Sequence, residues 1–205
     1  MITIALTKGR ILDEAIKLFE KAGFDVAEIK DNAKNRKLIF ELGTSFRVIL
    51  AKSADVVTFT ARGACDCGIV GKDTLLEMNA NVTELADLNF GKCRFAVAAK
   101  AGETVFGNKN KTLCVGTKYP HVARTYFNES GIDCEIVKIE GSVELAPLLG
   151  VADCIVDIVE SGSTLRANGL EVLREIAFIS ARLIANPASL KIKTADIKAL
   201  SDILL

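Results

Sequence analysis

Short apolar runs closed by glycine and charged residues alternate along this chain with stretches whose apolar side chains recur at helical spacing. Ile2–Leu6 is the first run. It opens into Thr7-Lys8-Gly9-Arg10, and Ile11–Ala22 then gathers Ile11, Leu12, Ala15, Ile16, Leu18 and Phe19 on one side of a helix that Gly23 ends. This predicts a strand, a basic turn and a helix, with Lys8 and Arg10 where open α/β sheets hold ligands. After a polar loop, Asp31–Arg36, the segments Lys37–Leu42 and Phe46–Ala51 predict a hairpin through Gly43-Thr44-Ser45. Lys52–Arg62 reads as a short helix. Asp66–Val70, Gly71-Lys72-Asp73 and Thr74–Met78 repeat the strand, charged turn and helix of the N-terminus, and Val82–Leu88 predicts another strand.

Lys92–Lys100 reads as a strand, and Lys111–Thr117, Lys118–Ser130 and Cys134–Ile139 as a β-α-β unit. Ser142–Leu149 predicts a helix with Ser142 as its N-cap. Glu171–Ile179 and Arg182–Ala185 read as extended, and Thr194–Leu205 as an amphipathic helix burying Ile197, Leu200, Ile203 and Leu204. Strands alternating with helices define an α/β fold with mixed, mostly parallel sheets.

The most informative stretch is Glu144–Leu170. Its middle, Cys154–Val159, is an apolar run interrupted by Asp157. Glu160-Ser161-Gly162-Ser163-Thr164 follows, then Leu165–Asn168 as a short helix stopped by Gly169. A strand, a small-residue loop and a helix start make an anion cradle, because free N–H groups converge there. Asp153, Asp157 and Glu160 repel phosphate but suit sugar hydroxyls or magnesium, so cradle and acids together point to a phosphorylated sugar. The pattern alone also fits a plain strand–turn–helix connection, Lys8 and Arg10 also fit an exposed turn, and Asp73 also fits a helix cap.

Composition narrows the field. The 205 residues are half hydrophobic and carry 26 basic against 26 acidic side chains. That length suits one large or two small domains, and the balance argues against a nucleic-acid binder. No apolar stretch approaches the roughly 18 residues of a membrane span, and the start lacks a secretory leader, so a cytoplasmic protein is expected. The six cysteines form no C-x-x-C and there is a single histidine, His121, so the thiols read as small core hydrophobes and His121 as a surface or capping residue.

The spacing E-x5-G-x-A-D-x-I-x-D-I-x-x-S-G-x-T-L from Glu144 to Leu165 resembles the signature of the ATP phosphoribosyltransferase family. Thr7–Arg10, Arg36-Lys37-Leu38, Asp66–Asp73 and Thr117-Lys118-Tyr119-Pro120 fall in that family's order over nearly the whole chain. The resemblance implies two lobes like a type II periplasmic binding protein, with a substrate cleft between them. Residues 1–89 and 180–205 would form the first lobe and 90–179 the second. It implies transfer of phosphoribosyl from phosphoribosyl pyrophosphate (PRPP) to N1 of ATP, the first step of histidine biosynthesis, with magnesium accompanying the pyrophosphate.

On that resemblance Lys8, Arg10 and Arg36 serve catalysis and, with Asp73, ATP binding. Asp153, Asp157, Glu160, Ser161, Gly162, Ser163 and Thr164 bind PRPP; the metal ligands stay open. The chain resembles the short form of the enzyme, which implies a homodimer inside a hetero-oligomer whose regulatory subunit resembles histidyl-tRNA synthetase. A two-lobe solute-binding or sensor module without catalysis is the rival reading, and a phosphoribosyltransferase for another base is the next.

Overall fold

A computed structural model describes residues 1–31, 36–107 and 112–205, and the expected loop Asp31–Arg36 and strand start at Lys111 lie partly outside them. The chain divides into two compact units, one of Met1–Gly91 with Ser180–Leu205 and one of Lys92–Ile179. In order, the first stretch holds β1 (Ile2–Thr7), α1 (Arg10–Lys21), α2 (Ala27–Lys30), β2 (Ile39–Leu42), β3 (Phe46–Ala51), α3 (Ser53–Ala61), β4 (Cys67–Gly71), α4 (Lys72–Met78) and β5 (Thr83–Asp87). Next come β6 (Cys93–Lys100), β7 (Leu113–Thr117), α5 (Pro120–Glu129), β8 (Cys134–Lys138), α6 (Leu145–Leu148), β9 (Cys154–Val159), α7 (Ser163–Ala167) and β10 (Leu170–Ile179). The chain closes with β11 (Ala181–Ala185), α8 (Pro187–Ile192) and α9 (Thr194–Leu204).

The first unit's sheet runs β2-β3-β1-β4-β11-β5 and the second's β10-β6-β9-β7-β8. The α/β class stands, but parallel pairing does not dominate. Among the described residues β1 pairs in parallel with β3 and β4, and β7 with β8 and β9. The other five pairings are antiparallel. The reason is local: β2 returns on β3 as a hairpin, and β11 in the first sheet and β6 in the second run against the parallel strands, with β5 and β10 pairing antiparallel to β11 and β6 at the edges.

β4 is buried at every position, as a central strand covered on both faces must be. One face packs Ile4, Leu6, Val48 and Ile69 under α1 and α9; the other packs Ala5, Val70 and Ile184 under Val56 and Val57 of α3. The apolar stripe of α1 is used as its spacing requires: Ala15, Ile16 and Phe19 are buried, and Ile11, Leu12 and Leu18 lean on the same core. In the second unit Ile155 and Val159 of β9 join Ala96, Ala98, Val143, Ala146 and Leu165.

The helix expected over Ser142–Leu149 shrinks to the single turn of α6, and Ser142 sits at φ 48 instead of capping it. Pro147 is the cause, because it has no N–H to give and its ring crowds the carbonyl four residues back. Conversely, α8 has a strong local start that the periodicity concealed. Asn186 Oδ1 accepts from Ala188 and Ser189 N–H at 2.9 and 3.0 Å, with Pro187 in the first turn. The same amide donates through Nδ2 to the Thr60 and Ala61 carbonyls at 3.0 and 3.2 Å, tying α8 to the end of α3.

Asp66 fastens the C-terminal helices to the sheet. Its carboxylate accepts from Thr3 N–H (2.9 Å), Ser189 Oγ (2.7 Å) and Lys193 Nζ (2.8 Å). Burial alone would raise its pKa, but the Lys193 ammonium and these donors hold it below the ordinary value. A depressed carboxylate contributes stability that is present above its unfolded pKa and lost as pH falls through the folded one. Asp66→Asn should therefore cost about 1–3 kcal/mol in urea unfolding at neutral pH. The gap to wild type should close as pH drops through the depressed folded pKa.

Candidate active site

In the first unit the parallel pairing of β1 with β3 and β4 brings Thr7, Ala51 and Gly71 to one sheet end. Lys8 leaves β1 there, its N–H still donating to the Ala51 carbonyl at 3.0 Å. Gly9 then takes φ 91 and ψ −151, a region open in practice only to glycine, and Arg10 starts α1 with no side chain capping the helix. The α1 N–H groups therefore face outward beside two cationic side chains. Asp73 stands in the first turn of α4 just past Gly71, where the helix dipole favours a carboxylate, although the N-cap position itself is Gly71. Ile11 of α1 lies 3.7 Å from where a Cβ on Gly71 would be, so the two turns are neighbours.

Arg36 reaches the same end from the other side. β2 is antiparallel to β3, and Leu50 N–H donates to the Leu38 carbonyl at 2.8 Å, so the residues before β2 stand level with the exit of β3. Arg36 holds φ 54, a left-handed conformation that a long side chain rarely adopts. Lys8, Arg10, Arg36 and Asp73 thus share one end of one sheet. A pocket of about 520 Å³ opens beside Lys8 along α1, but Lys17 and Lys30 on its wall pair with Glu14 and Glu20 at 2.7 and 2.6 Å. Those cations are already engaged.

In the second unit β7 and β9 leave their sheet in the same direction, but Thr117 pairs with Val156, so Lys118 stands level with Asp157 and the Glu160–Thr164 turn lies three residues of β9 further on. Gly162 adopts φ 72, Ser161 Oγ donates to Ser163 Oγ at 3.0 Å, and Ser163 N–H donates to Ser161 Oγ at 3.3 Å. Asp157 lies on β9 on the same face as Ile155 and Val159, opposite Ala96. Burial pushes its pKa up and the Glu144 carboxylate adds to this, against the Ile158 N–H donating at 2.8 Å and the more distant Lys118 ammonium.

Asp153 does not join this group. It precedes β9, about 20 Å of extended chain from Val159 at about 3.3 Å per residue. Its carboxylate accepts from Cys114 N–H at 2.9 Å while its own N–H donates to the Cys114 carbonyl at 2.8 Å. Its position is the far end of the strand from the turn, and its work there is to extend the β7–β9 ladder.

The ATP phosphoribosyltransferase family model matches residues 52–204. An ATP phosphoribosyltransferase of Clostridium kluyveri is 52% identical over 198 residues, covering 96% of this chain and 89% of the relative. The chain belongs to the ATP phosphoribosyltransferase family. An ATP phosphoribosyltransferase solved in a HisG:HisZ complex from Thermotoga maritima superposes with a TM-score of 0.84 at 30% identity, covering 100% of this chain and 96% of the other. The periplasmic aliphatic sulphonate binding protein SsuA from Escherichia coli gives a TM-score of 0.61 at 11% identity over 99% of this chain and 70% of its own, a likeness of fold alone.

Two arginines beside the turn were missed from the family signature because neither lies in a pattern that marks it. Arg94 Nη1 donates to the Glu160 carbonyl at 3.4 Å and Arg166 Nη1 to the Ser161 carbonyl at 3.1 Å. Glu144 opens the signature, yet only the fold sets it beside Asp157, which lies 13 residues on in sequence. The buried thiols of Cys65, Cys67 and Cys154 are pushed up to about 11, 12 and 12 by burial, which suits core hydrophobes and not nucleophiles. Among the described residues no group of three or more His, Cys, Asp and Glu is arranged to hold a metal, and no helix is long and apolar enough to cross a membrane.

An acid whose folded pKa lies above its unfolded value costs stability that builds as pH climbs from the unfolded pKa to the folded one and is full above it. Asp157→Asn should therefore melt at a higher temperature than wild type at neutral pH. The gain should fade as pH falls from the raised folded pKa down through the ordinary carboxylate value, which a series of melts across the acid range would read out.

Proposed function

We propose that this chain transfers the 5-phosphoribosyl group from PRPP to N1 of the adenine of ATP, giving N1-(5-phospho-β-D-ribosyl)-ATP and pyrophosphate, the first step of L-histidine biosynthesis. Family membership across most of the chain supports the reaction. The observation that carries the residue roles is the gathering of Lys8, Arg10 and Arg36 around an uncapped helix start on one sheet end.

Adenine N1 already presents a lone pair, so attack needs no base to remove a proton. The barrier lies in the departure of pyrophosphate from a carbon that becomes cation-like. Charge developing on the leaving oxygens calls for fixed cations and backbone dipoles, the largest single contribution in reactions of this kind. Lys8, Arg10 and Arg36 supply the cations, and Asp73 beside them is assigned to ATP. The Glu160–Thr164 turn takes the 5′-phosphate, which fixes the anomeric carbon and spares the entropy of aligning it.

Asp157 holds ribose hydroxyls, and ligand contact there offsets the burial that disfavours its charge. Magnesium keeps most of its water and binds through one or two carboxylates plus substrate phosphates. Asp157 and Glu144, close enough for the second carboxylate to raise the pKa of the first, would be the carboxylates to hold it, and the ion would supply charge neutralisation to the pyrophosphate oxygens.

The Thermotoga maritima neighbour was solved as a HisG:HisZ complex. That likeness supports a hetero-oligomer with a second, regulatory subunit; the sequence resemblance adds a homodimer of this chain inside it and a partner resembling histidyl-tRNA synthetase. Light scattering should show a dimer alone and a larger species with that subunit; a stable monomer that remains monomeric on mixing rules the assembly out.

Mixing the chain with ATP, PRPP and magnesium, with the regulatory subunit present, should release pyrophosphate. A binding module would release none. Arg10→Ala should lower turnover more than about tenfold, equivalent to about 1.4 kcal/mol of transition-state stabilisation; a smaller loss refutes the leaving-group role. Thr164→Ala should weaken PRPP binding by calorimetry and leave ATP binding unchanged, whereas an unaltered PRPP affinity refutes the assignment of the turn.

A further inference from the structure

We propose that Arg166 and Arg94 are positioning residues for the Glu160–Thr164 turn, holding the Ser161 and Glu160 carbonyl oxygens aside from the phosphate. The proposal rests on the reading of that turn as the 5′-phosphate site.

A small-residue turn grips an anion only if its peptide planes present hydrogen and withdraw oxygen. Each carbonyl left facing the anion repels it and needs a donor of its own when the site closes. Here the carbonyls are taken up nearly in sequence. Glu160 O accepts from Arg94 Nη1 at 3.4 Å, Ser161 O from Arg166 Nη1 at 3.1 Å, and Gly162 O from the Arg166 N–H at 3.1 Å. Thr164 O accepts from Asn168 Nδ2 at 2.9 Å and Asn168 N–H at 3.3 Å. The donors come from two directions. Arg94 reaches across from β6, held by Glu175 of β10 at 2.7 Å, and Arg166 folds back from the end of α7.

Gly162 is what admits Arg166. A Cβ there would lie 3.1 Å from Arg166 Nη1 and 3.7 Å from Val159 Cγ1, and the position also holds φ 72. The glycine thus serves twice, once for the backbone conformation and once to leave the guanidinium its path to Ser161. Arg166 also carries the two contacts, side chain to Ser161 and backbone to Gly162, that fix consecutive peptide planes. A lysine there would offer a point charge without the planar fork, so it should restore only part of the geometry.

The test is steady-state kinetics of the complete enzyme with its regulatory subunit, on Arg166→Met, Arg166→Lys and Arg94→Met beside Thr164→Ala. Arg166→Met should raise KM for PRPP about tenfold, the order expected when one charge-assisted hydrogen bond is lost. It should leave kcat at saturating PRPP within about twofold, the KM for ATP unchanged and the melting temperature unchanged. Arg166→Lys should fall between wild type and Arg166→Met, and it serves as the test should the methionine variant fail to fold. Arg94→Met should shift the same parameter in the same direction.

An unaltered PRPP KM in Arg166→Met, with Thr164→Ala raising it, overturns the positioning role and leaves the turn as the phosphate site. An unaltered PRPP KM in both overturns the reading of the turn and this proposal with it. A fall in melting temperature with both substrates' KM values raised marks a structural arginine only, and also overturns the proposal.

Discussion

Strand direction is the constraint from which the rest of the structure follows. A parallel pair must end on the same side of its sheet, so the turn after each member is delivered to one place whatever its sequence. β1, β3 and β4 bring the Lys8 turn, the exit of β3 and the Asp73 turn together; β7 and β9 send Lys118 and the Glu160–Thr164 turn in the same direction, the turn three residues of β9 further on. The antiparallel members add to these ends from the opposite direction. β2 starts where β3 stops, so Arg36 arrives there without any turn of its own, and β6 begins opposite Val159, so Arg94 arrives beside Glu160.

Charge is then disposed by sheet end and not by net balance. The chain as a whole is neutral, yet the β1 end concentrates lysine and arginine while the β9 strand carries a carboxylate into a mostly apolar layer. Asp157 gains little for the fold: burial and Glu144 oppose its charge, and the helping N–H belongs to the adjacent residue. Asp66 is the contrasting case, also withdrawn from water but answered by an ammonium, an amide and a hydroxyl. The two aspartates therefore have pKa values moved in opposite directions: burial and Glu144 raise Asp157, while the Lys193 ammonium and two further donors outweigh burial at Asp66.

How far the sequence foretold this depends on whether a feature is set by neighbours along the chain or across it. α1 and α9 were legible because their stripes are long and their buried faces are what the spacing requires. The Lys8–Arg10 turn and the Gly162 turn were legible for a similar reason, since glycine and charge between an apolar run and a helix leave few alternatives. α8 was overlooked although Asn186-Pro187 is a strong local start, because a six-residue helix is too short to show a period. The expected Ser142 helix failed to a rule visible in the sequence, the proline at 147. Asp153 shows the opposite limit: four residues from Asp157 and in the same signature, it is carried to the far end of a strand, because extension separates what sequence spacing puts close. Arg94 and Arg166 had no local signal. Nothing in their neighbours announces that each would meet a carbonyl of the same turn.

The Gly9 turn also shows what a helix start left without a side-chain cap can offer. Gly9 supplies no side-chain oxygen to the first N–H groups of α1, whereas Asn186 supplies one to two of them at α8, and at α7 Ser161 Oγ, one residue before Gly162, accepts from Ser163 N–H. A cap satisfies the helix and by doing so fills the position an external acceptor would take. At α8 nothing need bind, and the cap is present. At α1 the open N–H groups stand beside Lys8 and Arg10, and forgoing a cap worth about 1 kcal/mol is the smaller loss if an anion completes the helix instead. The two starts differ accordingly: α8 is closed by its own Asn186, and α1 is left to its backbone beside Lys8 and Arg10.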